Sequence, residues 1–231
     1  LVPFDYLGLK YIVIKGEGIP FNKTEMVYIM AIENNTSLFI DGSSSMAAIL
    51  QEGETYAMRL NQNALTIEAD KKIYVYHLSG HSNEMGSALL PKIVCTGSKQ
   101  LGFVRTYEKK FDLMILCKAE DTGNFILNGN SSVINGFRLV PSSQDFAYYK
   151  KEMSLSEVPA GQASLIKNTS GFFHMGILNK HNLSSEYGYF SNYSSVNLGR
   201  DFYMCPGDSA VLDAGPDKDS YLWNTGDTTQ T

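Results

Sequence analysis

Residues 27–42 read VYIMAIENNTSLFIDG, and the fold of the whole chain is legible from how this stretch is punctuated. Two short apolar runs, Val27-Tyr28-Ile29-Met30-Ala31-Ile32 and Ser37-Leu38-Phe39-Ile40, flank the polar segment Glu33-Asn34-Asn35-Thr36, and the second run stops at Asp41-Gly42. Short runs with period-two patterning and turn residues at both ends mark strands rather than helices. The stretch therefore predicts a hairpin that ends at an Asp-Gly turn.

Working outward, the same grammar repeats. Glu54-Thr55-Tyr56-Ala57-Met58-Arg59-Leu60 predicts a strand, and Leu65–Ala69 with Ile73–Leu78 predicts a second hairpin across Asp70-Lys71-Lys72. No long segment carries a 3.6-residue apolar stripe. Helical turns are expected only near Ser43–Leu50 and Ser154–Val158.

The opening stretch has an echo. Ala31–Gly42 (AIENNTSLFIDG) is matched by Ala119–Gly129 (AEDTGNFILNG), and Tyr74-Val75-Tyr76-His77 parallels Gly171-Phe172-Phe173-His174. The glycines are offset by 129 − 42 = 87 positions and the histidines by 174 − 77 = 97, which a longer loop in the second copy reconciles. The expectation is an all-β chain of two tandem, related, β-sandwich-like lobes, residues 1–110 and 111–199. Residues 200–231 hold the lone Trp223 in a short apolar segment about ten residues after Ser209-Ala210-Val211-Leu212-Asp213. That is how an immunoglobulin-like sandwich begins, and the segment is expected to be its opening strands, cut short.

Composition narrows the function classes. At 231 residues with 43% hydrophobic content the chain can bury a real core. Its formal charge of −5 and lack of a basic stripe argue against a nucleic-acid partner. No apolar run approaches the roughly 20 residues that a spanning helix needs, so no transmembrane segment is expected. The chain begins at Leu1 and stops within a motif, which suggests a fragment of a longer precursor. Asn-x-Ser/Thr triplets such as those at Asn34 and Asn130 read as loop composition or as glycosylation acceptors.

Candidate chemistry is sparse. His77 and His81 lie four residues apart, about 13 Å along a strand at roughly 3.3 Å per residue, too far to share an ion. His174 and His181 complete the histidines, and hydrogen-bonded structural roles suit all four better than zinc. No Gly-x-Ser-x-Gly elbow is present, and Gly80-His81-Ser82 has no companion motif for an oxyanion hole. Acids such as Glu33, Glu120 and Asp121 sit in turns. Asp213, Asp217 and Asp219 flank a Gly-Pro turn, which turn chemistry explains and calcium binding also fits. The expected cofactor set is otherwise empty. Tyr187, Tyr189 and Tyr193, amid Ser, Asn and Gly, form the expected ligand-contact surface, packing against the next domain or within the second lobe being the alternative. Of the three cysteines, Cys95 and Cys117 are the expected disulfide, and Cys205 is expected to stay unpaired.

Two stretches resemble known families. Cys205–Thr231 (CPGDSAVLDAGPDKDSYLWNTGDTTQT) resembles the Ig-like or PKD-like repeats of large Bacteroidetes surface proteins. Upstream, the islands Glu52-Gly53-Glu54-Thr55-Tyr56, Leu78-Ser79-Gly80-His81, Ala88-Leu89-Leu90-Pro91, Ser156-Glu157-Val158-Pro159-Ala160-Gly161 and Tyr187-Gly188-Tyr189-Phe190-Ser191 resemble the N-terminal region of the IgGFc-binding-protein family in its bacterial form. The resemblance spans most of residues 26–195. It implies an exported bacterial surface protein, of the kind carried by type IX secretion and used in adhesion or gliding. The implied partners are an extracellular protein or glycan, adjacent Ig-like domains, and the secretion and surface-anchoring machinery. Antibody binding is not carried over, since a fold does not bring one relative's ligand with it. The expected function is a non-enzymatic adhesion or recognition module. A structural spacer and a secreted hydrolase are the rival readings.

Overall fold

The computed structural model describes residues 6–16, 25–81, 84–94, 96–180, 184–191, 211–215, 220–223 and 225–231. The chain divides into two compact units, Leu1–Tyr193 and Ser194–Thr231.

The first unit is all-β and holds fifteen described strands. In chain order these are β1 (Gly8–Ile14), β2 (Glu25–Ala31), β3 (Thr36–Ile40), β4 (Ala48–Leu50), β5 (Thr55–Leu60), β6 (Ala64–His81), β7 (Glu84–Leu89) and β8 (Gln100–Val104). They continue as β9 (Phe111–Lys118), β10 (Phe125–Leu127), β11 (Arg138–Val140), β12 (Ser143–Glu152), β13 (Ala163–Asn168), β14 (Phe173–Lys180) and β15 (Ser185–Phe190). Helical structure is confined to pieces such as the 3-10 turn Ala119–Asp121. At Ser154–Val158 the expected helical turn forms, closed by Val158 N–H on the Ser154 carbonyl (3.0 Å). Ser154 and Glu157 cap it reciprocally: Ser154 N–H donates to Glu157 Oε2 and Glu157 N–H to Ser154 Oγ. The other expected turn, near Ser43–Leu50, is instead a run of bends leading into β4.

All strand pairing within the three sheets is antiparallel. One seven-stranded sheet runs β4-β3-β6-β2-β5, with β1 and β7 also on β6; the others run β10-β13-β8 and β11-β12-β9-β14-β15. Two expected hairpins are corrected by this topology. β2 and β3 do not pair with each other; both pair with β6, at different places along it. Likewise 65–69 and 73–78 are one strand, not two. Asp70-Lys71-Lys72 has no glycine to follow the aspartate in a tight reversal, and Asp70 Oδ1 instead accepts Ser37 N–H (2.8 Å), tying the extended chain to β3. The two halves of β6 serve different neighbours. Residues 64–69 pair with β1 and β3, and residues 73–81 with β2 and β7. A long strand shared in this way curls the sheet on itself.

The second lobe repeats the same wiring with the long strand broken. β13 takes β8 and β10, as the first half of β6 takes β1 and β3. β14 takes β9 and β15, as the second half of β6 takes β2 and β7. Thus β8, at residues 100–104, joins the second lobe from the N-terminal side of the expected 110/111 division. The two turns that suggested the repeat agree in backbone: Asp41 (φ 57°) and Gly42 (φ 70°) match Asn128 (φ 50°) and Gly129 (φ 83°). Anchored on those turns, the registers make Ile73, opposite Ala31, equivalent to Phe173, opposite Cys117, an offset of 173 − 73 = 100. His77 therefore corresponds to Ile177, not to His174. The offset of 97 expected from sequence is odd by comparison, and an odd slip moves a side chain to the other face.

Three cores result. Leu38, Leu60, Ile67 and Val75 fill the curl of the first lobe. Phe111, Phe125, Phe173 and Ile166 lie between the two sheets of the second. The third core joins the lobes: Ile12, Ile14 and Ala64 from the flank of the first meet Met114, Leu116, Tyr148 and Leu178 on the outer sheet face of the second.

In the second unit no described residue is in a strand, which corrects the strands expected at 209–213 and 220–223 for the residues seen. Val211 and Leu222 are exposed, so those segments have no apolar face to bury. Trp223 is held locally, donating from Nε1 to the Thr229 carbonyl (2.8 Å).

Candidate functional site around strand β15

β15 is the last strand of the five-stranded sheet and lies against β7 of the first lobe. The approach is close: a Cβ on Gly86 of β7 would stand 2.6 Å from Cβ of Tyr187. Any larger residue at position 86 would push the lobes apart.

Across this seam Tyr187 enters the first lobe. Its hydroxyl is 2.7 Å from His77 Nδ1, and the two rings meet edge to face with centroids 5.3 Å apart. Behind it, His77 Nε2 is 2.8 Å from Glu25 Oε2. The same oxygen accepts Gly16 N–H (2.9 Å), and Oε1 accepts the Ser79 hydroxyl (2.8 Å). Glu25, His77 and Ser79 are all 0% exposed. Burial pushes the Glu25 carboxyl up. The hydrogen bond and charge of His77, with the Gly16 and Ser79 donors, more than offset that and hold it below the ordinary carboxylate range.

The residue types are those of a Ser-His-acid relay, but the wiring is different. Ser79 donates to the carboxylate, not to the imidazole, and the imidazole's other nitrogen is occupied by Tyr187. A nucleophile needs access to substrate as well as a base; Ser79, 0% exposed and with its hydroxyl committed to the Glu25 carboxylate, has no such access. The cluster acts as a cross-link, tying β2 to β6 and the first lobe to the second. Glu25 and Ser79 escaped the sequence reading. The available signal was period two: Glu25, Val27, Ile29 and Ala31 all face inward along β2, so an acid at the head of that series is a buried acid.

Of the expected tyrosine trio, the structure brings Tyr187 and Tyr189 to the seam, half-buried. The Tyr189 ring lies across Gly176 and packs against the core of the first lobe. Tyr193 lies outside the described residues, as do His181, Cys95, Cys205, Asp217 and Asp219. The His81 side chain is also outside them. Cys117 is a free, buried thiol in the second core, and its expected partner Cys95 lies outside the described residues. Burial, reinforced by the charge of Asp121, pushes that thiol up to about 12. His174 faces the opposite side of its sheet from that core, 3.0 Å from Ser191 Oγ through Nδ1. Burial lowers it to about 4. Asp213 Oδ1 accepts Gly215 N–H and Gln230 Nε2 (both 2.8 Å), a turn role. Among the described residues no group of three or more His, Cys, Asp or Glu is placed to hold a metal.

Two concavities flank the seam. One, about 430 Å3, is lined by Lys15, Arg138, Lys150 and Lys151 together with Asp112 and Glu152. The other, about 300 Å3, lies in the second lobe between β8, β14 and β15. Its walls are Phe103, Phe111 and Ile177, with Thr106, Asn179 and Glu186 as its polar groups. Asn179 is 3% exposed. Its Nδ2 is turned onto Thr106 Oγ1 and Glu186 Oε2, and its Oδ1 has no hydrogen bond. Beneath this cavity Arg105, also buried, donates to the carbonyls of Tyr107, Met153 and Val158 and lies over the Phe111 ring. No helix among the described residues is long and apolar enough to cross a membrane.

No curated protein and no solved structure matches the chain. The family described as IgGFc binding protein matches residues 1–186, the stretch that holds both lobes through most of the seam. That family is one of binding modules rather than of enzymes, as the wiring of the Glu25 cluster accords with, and the chain belongs to it.

Proposed function

We propose that the chain is an extracellular recognition module that presents the outer sheet face of its first lobe to a protein or glycan ligand. The observation that carries this reading is a difference between equivalent surfaces. Met114, Leu116 and Leu178 on the outer face of the second lobe are buried at the lobe seam. Their register counterparts in the first lobe are Tyr28, Met30 and Leu78. These stay half-exposed, and Tyr76, opposite Tyr28, is 40% exposed. Tyrosine and methionine on a rigid sheet offer apolar area with few conformations to lose, which suits recognition. The likeness of residues 205–231 to Ig-like surface repeats supports an exported bacterial adhesin as the setting, with further such domains and surface-anchoring machinery as neighbours.

The test is a protein and glycan array probed with the full 231-residue chain and with its Tyr76→Ala variant. Binding of at least one ligand class, weakened tenfold or more by the substitution at unchanged melting temperature, supports the reading. Binding indifferent to Tyr76→Ala removes the surface from consideration. Turnover of an arrayed glycan would replace a binding module with a hydrolase.

A further inference from the structure

We infer that the 300 Å3 cavity of the second lobe is a socket for a tyrosine side chain delivered on an extended strand by another polypeptide. The template for this occupant is inside the molecule. In the first lobe the position equivalent to the cavity is the Glu25–His77–Ser79 cluster, and it is filled by Tyr187. The registers superpose the two sites wall by wall: Val13 on Phe103, His77 on Ile177, Ser79 on Asn179 and Gly86 on Glu186. What the second lobe supplies to the first, nothing among the described residues supplies to the second.

The surroundings have the same history. Ile14 and Thr66, on the flank of the first lobe, are buried, whereas their counterparts Val104 and Leu165 are 49% and 44% exposed. The lobes therefore meet head to tail, and the tail of the second lobe is, among the described residues, an uncovered copy of a surface that accepts a sheet face in the first. Head-to-tail contacts repeat in principle without closing.

The chemistry of the cavity selects its guest. Three apolar walls take an aromatic ring, and the buried Asn179 Oδ1, with no hydrogen bond of its own, accepts a hydrogen bond from a hydroxyl. An orphaned buried acceptor is rare in a finished interior, and a phenol supplies ring and donor together. A second copy of this chain fits poorly. Its first-lobe outer face would present Ser87 where the second lobe presents Tyr187, by the same register, and would leave the socket empty.

The probe is the synthetic peptide SEYGYFS, which reproduces residues 185–191, titrated into the full chain while the Ile177 methyl and His77 ring signals are followed by NMR. Saturable shifts at Ile177, with His77 unmoved, are expected. A peptide carrying Tyr187→Phe should bind about tenfold more weakly, the equivalent of about 1.4 kcal/mol for one hydrogen bond to a buried acceptor. That discrimination should vanish in Asn179→Leu. Should this variant not fold, the rim substitution Val104→Glu, at an exposed position, should weaken the wild-type peptide instead. Absence of any shift at Ile177, or equal affinity for the two peptides, overturns the inference. So does concentration-dependent dimerisation of the free chain that Val104→Glu abolishes, which would make a second copy the occupant.

Discussion

The two lobes share the pairing around β6 and around its counterparts β13 and β14, yet they solve one position in opposite ways. Where β2 and the second half of β6 meet, the first lobe buries an acid, an imidazole and a hydroxyl. At the matching place the second lobe puts Phe111, Ile177 and Asn179, and stays open. The difference follows from what lies outside. The first site is roofed by Tyr187, whose hydroxyl completes a chain of hydrogen bonds that would be ruinous if left half made. The second has no roof and is built mainly from groups that tolerate exposure or emptiness. Topology is thus held by the apolar alternation shared between the lobes, and the polar detail is set by the neighbour each lobe has.

The largest effects should come from removing the centre of either site. Glu25→Ala and Phe111→Ala should each destabilise by about 3–5 kcal/mol in urea unfolding, the first by stranding His77, Ser79 and Gly16 N–H and the second by opening a cavity. Their pH dependence should separate them. The folded-state pKa of Glu25 is lowered, so its contribution is present above the unfolded carboxylate value and lost as pH falls through the folded one. The Glu25→Ala penalty should therefore shrink in acid, while that of Phe111→Ala should not. Equal pH profiles would mean that the two sites differ in residue type but not in physics.

Next comes His174, buried on the outer face of the second lobe. Its pKa falls from 6.5 to about 4, so the unfolded chain binds the proton more readily. Stability is then complete above pH 6.5 and declines as pH drops towards 4, by about 3 kcal/mol in all. A His174→Gln variant should flatten the unfolding free energy across that window. A slope that survives the substitution assigns it elsewhere.

Much of this was open to reading in the sequence, for identifiable reasons. Period-two patterning marked β2, β3, β5 and β6, whereas β9 and β14 are buried on both faces and do not carry that signal. The Asp41-Gly42 and Asn128-Gly129 pair disclosed the repeat, because only a few residue types accept the left-handed turn. The His77–His174 match misled, because both lie in apolar strands and parity is invisible until pairing is known. Asp70-Lys71-Lys72 looked like a turn by polarity alone, whereas those residues are extended and their polar groups face outward to β3 and the Asn34 carbonyl. The seam and the socket were illegible, since both depend on which sheet face meets which flank.

A smaller effect tests the seam itself. Tyr187→Phe should cost about 1–2 kcal/mol by leaving His77 Nδ1 without its hydrogen-bond partner. The loss should disappear when His77 is also replaced, as a double-mutant cycle would show. If it persists, the ring alone holds the lobes together. Smallest, Asp41→Ala and Asn128→Ala, each measured against the glycine variant at the same position so that the lost side-chain hydrogen bonds cancel, should each cost about 1 kcal/mol, the strain of an alanine in the left-handed region. Closely similar values would extend the equivalence of the lobes to their turns, and unequal ones would confine it to the sheets.

The unbroken β6 has a consequence for how the molecule yields. Its 18 residues, roughly 60 Å of extended chain, are stitched on both sides to strands from either half of the first lobe. Neither half can open without disturbing the same strand, so its amides should exchange with solvent as one set, at the rate of whole-lobe opening. In the second lobe the corresponding path is cut between Asn168 and Phe173. The gap is crossed by a short backbone link, Asn168 N–H on the Lys99 carbonyl and Phe173 paired with Ser98, and by side chains: Asn168 Nδ2 on the Asp121 carbonyl and Ser170 Oγ on Asp121 Oδ1. That junction is where a pull on the chain should first be felt, with the three-stranded sheet peeling from the five-stranded one while the first lobe still holds.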